Sequence, residues 1–174
     1  MKHNMIGITG KIGSGKTTLA NNLINHGYTE YSMAEPLKKI GEIFGFTHQQ
    51  LYGTQEQKLE IHPVWGISAR QFLQKVGTEL FREQLPNVLP EMKLEYSVWI
   101  ELFRQKIKTT PGLYVVSDVR FLDEATIIKE LGGVIVKTVR NHVNTGSEHS
   151  HSSEIEINRI VPDFVIDNNK LTPE

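Results

Sequence analysis

The first residues with evident chemistry lie in a glycine-rich segment near the N-terminus. Residues 10–17 read GKIGSGKT, which matches the pattern G-x-x-x-x-G-K-[ST]. Glycines let the backbone approach a phosphate closely, and amide groups at the start of a following helix attract an anion. The lysine supplies a positive charge for the β- and γ-phosphates, and the threonine hydroxyl can bind Mg²⁺. The pattern predicts a phosphate-binding loop made of Gly10, Lys11, Ile12, Gly13, Ser14, Gly15, Lys16, Thr17 and Thr18.

A second candidate group follows the apolar run Leu113–Ser117, in the segment SDVRF. Asp118 stands at the end of a predicted buried strand, where a carboxylate can hold Mg²⁺ through water or accept a hydrogen bond from the phosphoryl acceptor. It could equally cap a helix. Arg120, two residues on, can grip a phosphate with its planar fork or form an ion pair with Asp123 or Glu124. Both residues are predicted at one edge of the sheet.

Two further sets of polar residues are candidates for substrate binding. Arg70, Gln74 and Thr78 are spaced by four, so a helix would carry them in one polar line, which is either a binding surface or a solvated face. Arg140 ends a predicted strand just before the polar segment 141–153. It is a candidate to close over a transferring phosphate, or it is a solvated strand end.

The elements that must position these residues form an α/β pattern. Apolar runs predict strands at Met5–Thr9, Leu113–Ser117, Val134–Val139 and Phe164–Ile166, with a weaker one at Tyr28–Met33. Most of these runs are continuous, as expected of a parallel sheet covered on both faces. We therefore predict a three-layer α/β/α fold with about five parallel strands, in a single domain over 1–174.

Helical periods fall between the strands. Helices are predicted at about 15–26, from Pro36 onward, at 68–84, at about 91–108 and at 122–131. The first has an inner stripe of Leu19, Ala20, Leu23 and Ile24, and Gly27 is a plausible end. Ser68 and Gln71 read as a capping box for a helix whose apolar stripe runs to Leu80. Residues 45–66 are predicted as a loop with short helical turns.

The composition argues against several classes of protein. The chain has 174 residues, a formal net charge of −1 and no cysteine, so neither a basic nucleic-acid footprint nor a disulfide framework is expected. No apolar run is long enough for a membrane span. The guanine-reading pattern N-K-x-D is not matched, because the nearest string is NKLT at the C-terminus. We expect a cytoplasmic protein that binds neither nucleic acid nor membrane.

Several blocks together resemble a known family. They are ITGKIGSGKTT, SMAEPLKKIGEIFG, LYGTQEQK, ARQFLQKVGTELFRE, VVSDVRFLDEATIIKELGGVIVKTVR and HSSE. In this order they are similar to the deoxynucleoside monophosphate kinases of bacteriophages and large DNA viruses, which are P-loop nucleotide kinases. The closing VPDFVIDNN is also similar to the end of dephospho-CoA kinases.

The resemblance implies a reaction and a set of roles. It implies transfer of a phosphoryl group from ATP, with Mg²⁺, to a deoxynucleoside monophosphate, giving the diphosphate and ADP. It also implies a helical substrate-binding insertion at about 34–110, a lid at about 140–158 and a homodimer. The implied catalytic residues are Lys16, Asp118, Arg120 and Arg140, the substrate residues are Arg70, Gln74, Thr78, Arg120, Glu124 and His151, and the metal residues are Thr17 and Asp118.

Two alternative functions stay open at the level of sequence. One is a kinase for another small acceptor, dephospho-CoA above all. The other is a P-loop NTPase or nucleotide-regulated binding protein that transfers no phosphoryl group. An acceptor panel in an ADP-release assay distinguishes the three.

Overall fold

A computed structural model of the chain describes residues 3–140 and 156–169. These residues form two compact units. The first, here called the sheet unit, runs from the N-terminus to Met33 and resumes at Lys106, and the second, the helical unit, is Ala34–Gln105. No helix within the described residues is long and apolar enough to cross a membrane.

The elements follow one another in a β/α order interrupted by helices. In chain order they are β1 Met5–Thr9, α1 Lys16–Asn25, β2 Thr29–Tyr31, α2 Glu35–Ile43, α3 His48–Tyr52, α4 Gln55–Leu59, α5 Ala69–Gln74, a π-helical segment Lys75–Gln84, α6 Leu85–Val88, a 3₁₀ turn Pro90–Met92, α7 Val98–Thr109, β3 Tyr114–Val116, α8 Leu122–Glu130, β4 Val134–Val139 and β5 Phe164–Asp167.

The sheet of the sheet unit is parallel throughout its described strands. Its order is β2-β3-β1-β4-β5, so β1 is central. Gly7 of β1 lies opposite Val116 of β3 on one side and Ile135 of β4 on the other. The five predicted strands are confirmed, with ends that differ by at most two residues.

Helices cover both faces of this sheet. Right-handed crossovers put α1 and α8 on opposite faces, because α1 leads from β1 toward β2 and α8 leads from β3 toward β4. The side chains of β1 alternate accordingly. Ile8 packs with Ala20 of α1, whereas a Cβ added to Gly7 would lie 2.9 Å from the Ile128 side chain of α8. The predicted three-layer α/β/α fold is confirmed.

The end of α1 departs from its predicted stripe. Leu19, Ala20 and Leu23 pack in the core, but Ile24 is 37% exposed. The helix closes with Tyr28 N–H donating to the Leu23 carbonyl (3.1 Å) and Gly27 N–H donating to the Ile24 carbonyl (2.9 Å). This reversal at Gly27, whose φ is 90°, brings Tyr28 under the last turn in place of Ile24.

The helical unit is built from short capped helices around an apolar cluster. Ser68 Oγ accepts from Gln71 N–H at 3.2 Å, and Gln71 Oε1 accepts from Ser68 N–H at 3.0 Å, which confirms the predicted capping box. Similar capping boxes lie at the N-termini of α3 and α4. Both helices fall within residues 45–66, where short helical turns were predicted. The buried members of the cluster are Leu37, Phe46, Leu51, Ala69, Phe72 and Trp99.

The helix that begins at Ala69 widens after Gln74. From Lys75 to Gln84 it is π-helical, with i→i+5 hydrogen bonds and about 4.4 residues per turn. The prediction that Leu80 faces the core is therefore wrong, and Leu80 is 51% exposed. Phe81 packs against the apolar cluster instead, because the wider turn shifts the inward position by one residue.

The predicted helix over about Glu91–Lys108 is wrong in its first part. Residues Pro90–Met92 form only a 3₁₀ turn. Lys93 has φ 47°, a left-handed conformation that an α-helix cannot continue through. The helix α7 begins at Val98.

Candidate active site

The predicted phosphate-binding loop joins β1 to α1. Gly10, Gly13 and Gly15 have φ values of 145°, 77° and 100°, which other residues rarely adopt. Gly15 directly precedes Lys16, the first residue of α1, and carries no side chain that could cap the helix. The amide groups of the first turn are thus available to an anion. The geometry is that of a phosphate cradle.

Lys16 lies inside this loop rather than in solvent. Its Nζ donates to the carbonyls of Gly10 (2.7 Å) and Lys11 (2.8 Å). Burial of the ammonium, helped by the positive charge of Arg120 and opposed by Asp118, lowers the pKa of Lys16 to about 8. The structure therefore brings the charges of these three predicted residues together around the loop.

Two side chains hold the loop in place, Thr138 of β4 and Asn168, the residue after β5. Ser14 and Thr138 share a buried hydrogen bond between their hydroxyl groups at 2.7 Å. Asn168 Nδ2 donates to the Ser14 carbonyl at 3.1 Å. A Cβ on Gly10 would lie 2.5 Å from the Thr138 carbonyl oxygen, so β4 packs directly against the start of the loop.

Asp118 is held at the carboxyl end of β3 by the chain that follows β2. Ser32 Oγ donates to Asp118 Oδ2 at 2.7 Å, and the Met33 N–H donates to Oδ1 at 2.9 Å. Burial and the negative charge of Asp118 raise the pKa of Tyr31 to about 12. These two hydrogen bonds fix the orientation of the carboxylate.

Arg120 and Glu124 meet at the start of α8. Glu124 Oε2 accepts from the backbone N–H groups of Arg120 (2.8 Å) and Phe121 (3.1 Å). Glu124 is 3% exposed, so in this structure it stabilises the helix start that carries Arg120. Its role as a substrate ligand stays a prediction.

The remaining predicted residues are spread over several elements. Thr17 and Thr18, the last residues of the predicted loop, are exposed on the first turn of α1, and Arg140 is exposed directly after β4. Arg70 and Gln74 lie on α5 and Thr78 lies in the π-helical segment, all within the helical unit. His151 and most of the predicted lid lie outside the described residues.

The sequence reasoning missed the residues that hold the loop and Asp118 in place. Ser32, Thr138 and Asn168 act through side-chain hydrogen bonds to residues 86, 124 and 154 positions away in the chain. A usable signal was present, because each of them lies within two residues of the carboxyl end of a predicted strand, and the carboxyl ends of parallel strands share one edge of a sheet.

The fold and the loop together define a class of protein. A parallel three-layer sheet whose first strand leads through a glycine-rich phosphate cradle into a helix is the P-loop nucleotide-binding arrangement. No family model matches the chain. However, the "Putative deoxynucleotide monophosphate kinase" of Acanthamoeba polyphaga mimivirus is 42% identical to it over 179 residues, which cover 98% of this chain and 91% of that protein. The chain belongs to the deoxynucleotide monophosphate kinase family.

Two solved structures are also similar to the chain. The crystal structure of TT1252 from Thermus thermophilus has a TM-score of 0.49 and 21% identity, covering 97% of this chain and 90% of that one. Dephospho-CoA kinase from Campylobacter jejuni has a TM-score of 0.45 and 16% identity, covering 97% of this chain and 89% of that one.

Proposed function

We propose that the protein transfers the γ-phosphoryl group of ATP to a deoxynucleoside monophosphate, giving a deoxynucleoside diphosphate and ADP. The observation that carries this proposal is the half-buried Lys16 side chain, whose ammonium lies in the glycine-rich loop with the charges of Asp118 and Arg120 acting on it. Membership in the deoxynucleotide monophosphate kinase family supports the choice of acceptor.

The donor is bound by charge and by backbone amides. Lys16 donates to two loop carbonyls, and its ammonium would exchange these acceptors for the β- and γ-phosphate oxygens of ATP. The first turn of α1 adds its amide groups and the positive end of its dipole. These groups neutralise the triphosphate without forming a covalent bond to it.

Mg²⁺ fits the donor set at the edge of the sheet. Thr17 supplies an exposed hydroxyl, and Asp118 supplies a carboxylate whose orientation Ser32 and Met33 fix. Mg²⁺ in kinases is held by one or two such groups together with the substrate phosphates. When bound, it would neutralise charge on the donor phosphates.

The transfer step requires little covalent chemistry from the protein. An oxygen of the acceptor monophosphate forms a bond to the γ-phosphorus as the bond to the bridging β,γ-oxygen breaks, and ADP leaves with that electron pair. The acceptor is already an anionic oxygen, so positioning and charge stabilisation dominate. We assign Arg120 and Arg140 to the transferring group, and Arg70, Gln74 and Thr78 to the acceptor.

An ADP-release assay with a panel of acceptors tests the proposal. The panel is dTMP, dGMP, dCMP, dAMP and dephospho-CoA, each with ATP and Mg²⁺ and with a no-acceptor control. We expect release that depends on at least one deoxynucleoside monophosphate and a diphosphate product visible by chromatography. Release that depends only on dephospho-CoA, or that needs no acceptor, would contradict the proposal. The homodimer and the cytoplasmic location also stay predictions.

A further inference from the structure

The π-helical segment of the helical unit is tied to a distant tryptophan. Trp99 Nε1 donates to the Gly77 carbonyl at 2.9 Å, and the bond is buried. Trp99 lies on α7, 22 residues further along the chain. A side chain that donates to a carbonyl within a helix competes with the i→i−4 ladder and favours a locally wider turn.

The packing around Gly77 agrees with this wide turn. A Cβ on Gly77 would lie 2.5 Å from Leu37 Cδ2, so the helix approaches α2 through a residue without a side chain. The Phe81 ring lies against the Trp99 indole with centroids 5.2 Å apart. Gly77 and Phe81 thus occupy inward positions that an α-helix would give to other residues.

The wide turn also changes how the predicted acceptor residues are aligned. In an α-helix, residues four apart are rotated by about 40°, so a line from Arg70 through Gln74 to Thr78 would drift by about 80°. At about 4.4 residues per turn the same step is about −30°. The segment after Gln74 therefore rotates Thr78 back toward the direction of Arg70, so that the three side chains stay in one row.

We propose that Trp99 is a positioning residue for the acceptor nucleotide. Its indole N–H holds the Gly77 carbonyl, fixes the wide register and so keeps Thr78 in line with Arg70 and Gln74. This inference rests on the proposed function, because the row acts on a nucleotide only if the protein is a nucleotide kinase. It adds to that function a residue that acts through the Gly77 carbonyl.

The chain provides a matched pair of variants. Trp99→Phe removes the N–H donor but keeps an aromatic ring against Phe81. Trp65→Phe removes the same kind of bond, from Trp65 Nε1 to the Phe44 carbonyl at 2.7 Å, in the same unit. Trp65 is 49% exposed and lies outside the π-helical segment, so it controls for the loss of an indole donor.

Initial rates are measured with the acceptor and ATP varied in turn, using the deoxynucleoside monophosphate that the wild-type protein accepts best. We expect Trp99→Phe to raise KM for the acceptor about fivefold or more, because the variant loses the buried hydrogen bond that fixes the wide turn. KM for ATP should stay within twofold of wild type. Hydrogen exchange should quicken within residues 75–84. Trp65→Phe should change none of these values.

Three outcomes would overturn the inference. The first is unchanged acceptor KM in a folded Trp99→Phe protein. The second is a lower kcat with both KM values unchanged, which is the signature of a smaller active fraction. In both cases the proposed function stands. The third is a wild-type protein that uses no deoxynucleoside monophosphate, which contradicts the proposed function and removes the positioning role with it.

Discussion

The position that makes Lys16 a candidate phosphate ligand also disfavours its charged form. Its ammonium is partly removed from water and is subject to the positive charge of Arg120, and both effects disfavour the charged form. The carbonyls of Gly10 and Lys11 accept from it but carry no full charge. A triphosphate would add negative charge around the Lys16 ammonium, so binding should raise the pKa of Lys16.

The first prediction follows from this change in protonation. At pH 8, close to the pKa of about 8 in the free protein, roughly half of the Lys16 side chains are neutral, and ATP binding should take up about 0.5 proton. At pH 6 the uptake linked to Lys16 should approach zero, and above pH 8 the affinity for ATP should fall. Titration calorimetry in buffers of different ionisation enthalpy measures the uptake directly.

The control for proton uptake is Lys16→Ala, which should also abolish turnover while it leaves the fold intact. If the variant binds any residual ATP, that binding should show no extra uptake at pH 8. Equal uptake by the two proteins would assign the proton to another group. Normal product formation by a folded Lys16→Ala protein would contradict the catalytic role of Lys16.

At the scale of elements, most features set by neighbouring residues were predicted, although the helix start predicted near Glu91 was wrong, and features set by residues distant in the chain were not predicted. The strands, the capping box at Ser68 and the glycine end of α1 depend on residues within a few positions, and they were predicted. The π-helical segment depends on an N–H from Trp99 and on the space left at Gly77, which no local period encodes. The same holds for Asn168, which supports a loop 154 residues earlier.

The second prediction concerns the packing of the loop against β4. Gly10→Ala should be severely destabilising, by about 3 kcal/mol or more, because the new Cβ would meet the Thr138 carbonyl at 2.5 Å and backbone atoms cannot easily yield. Urea unfolding measures the loss, and calorimetry should show that ATP binding is lost as well.

Gly27→Ala is the matched control for this change. Gly27 also has a positive φ, 90°, but nothing lies within 4 Å of its added Cβ. Only the backbone conformation is then penalised, at about 1–2 kcal/mol, and ATP binding should persist. If the two variants were equally stable, the contact between the loop and β4 would not restrict the backbone as the structure indicates.

At the scale of the whole molecule, the binding loop lowers the stability of the fold that carries it. Lys16 titrates at about 8 in the folded protein and near its ordinary value of 10.5 in the unfolded chain. The folded state therefore binds fewer protons than the unfolded state between these pH values. The free energy of unfolding should rise with pH across this window, and the unfavourable contribution is fully present below pH 8.

The third prediction is that removing this lysine stabilises the protein as it inactivates it. Lys16→Met should have a larger free energy of unfolding than wild type at pH 7, by about 1–3 kcal/mol, because a shift of 2.5 pKa units corresponds to at most about 3.4 kcal/mol and the two lost hydrogen bonds offset part of it. The difference should shrink steadily from pH 8 to 10, as the wild-type lysine folds in its neutral form. The raised pKa of Tyr31 affects both proteins and cancels in the comparison.

The control is Lys11→Met, which removes a positive charge from an exposed position in the same loop. It should show no gain in the free energy of unfolding at pH 7. A Lys16→Met protein that is less stable at pH 7, or a difference that stays constant with pH, would mean that burial of Lys16 does not oppose folding.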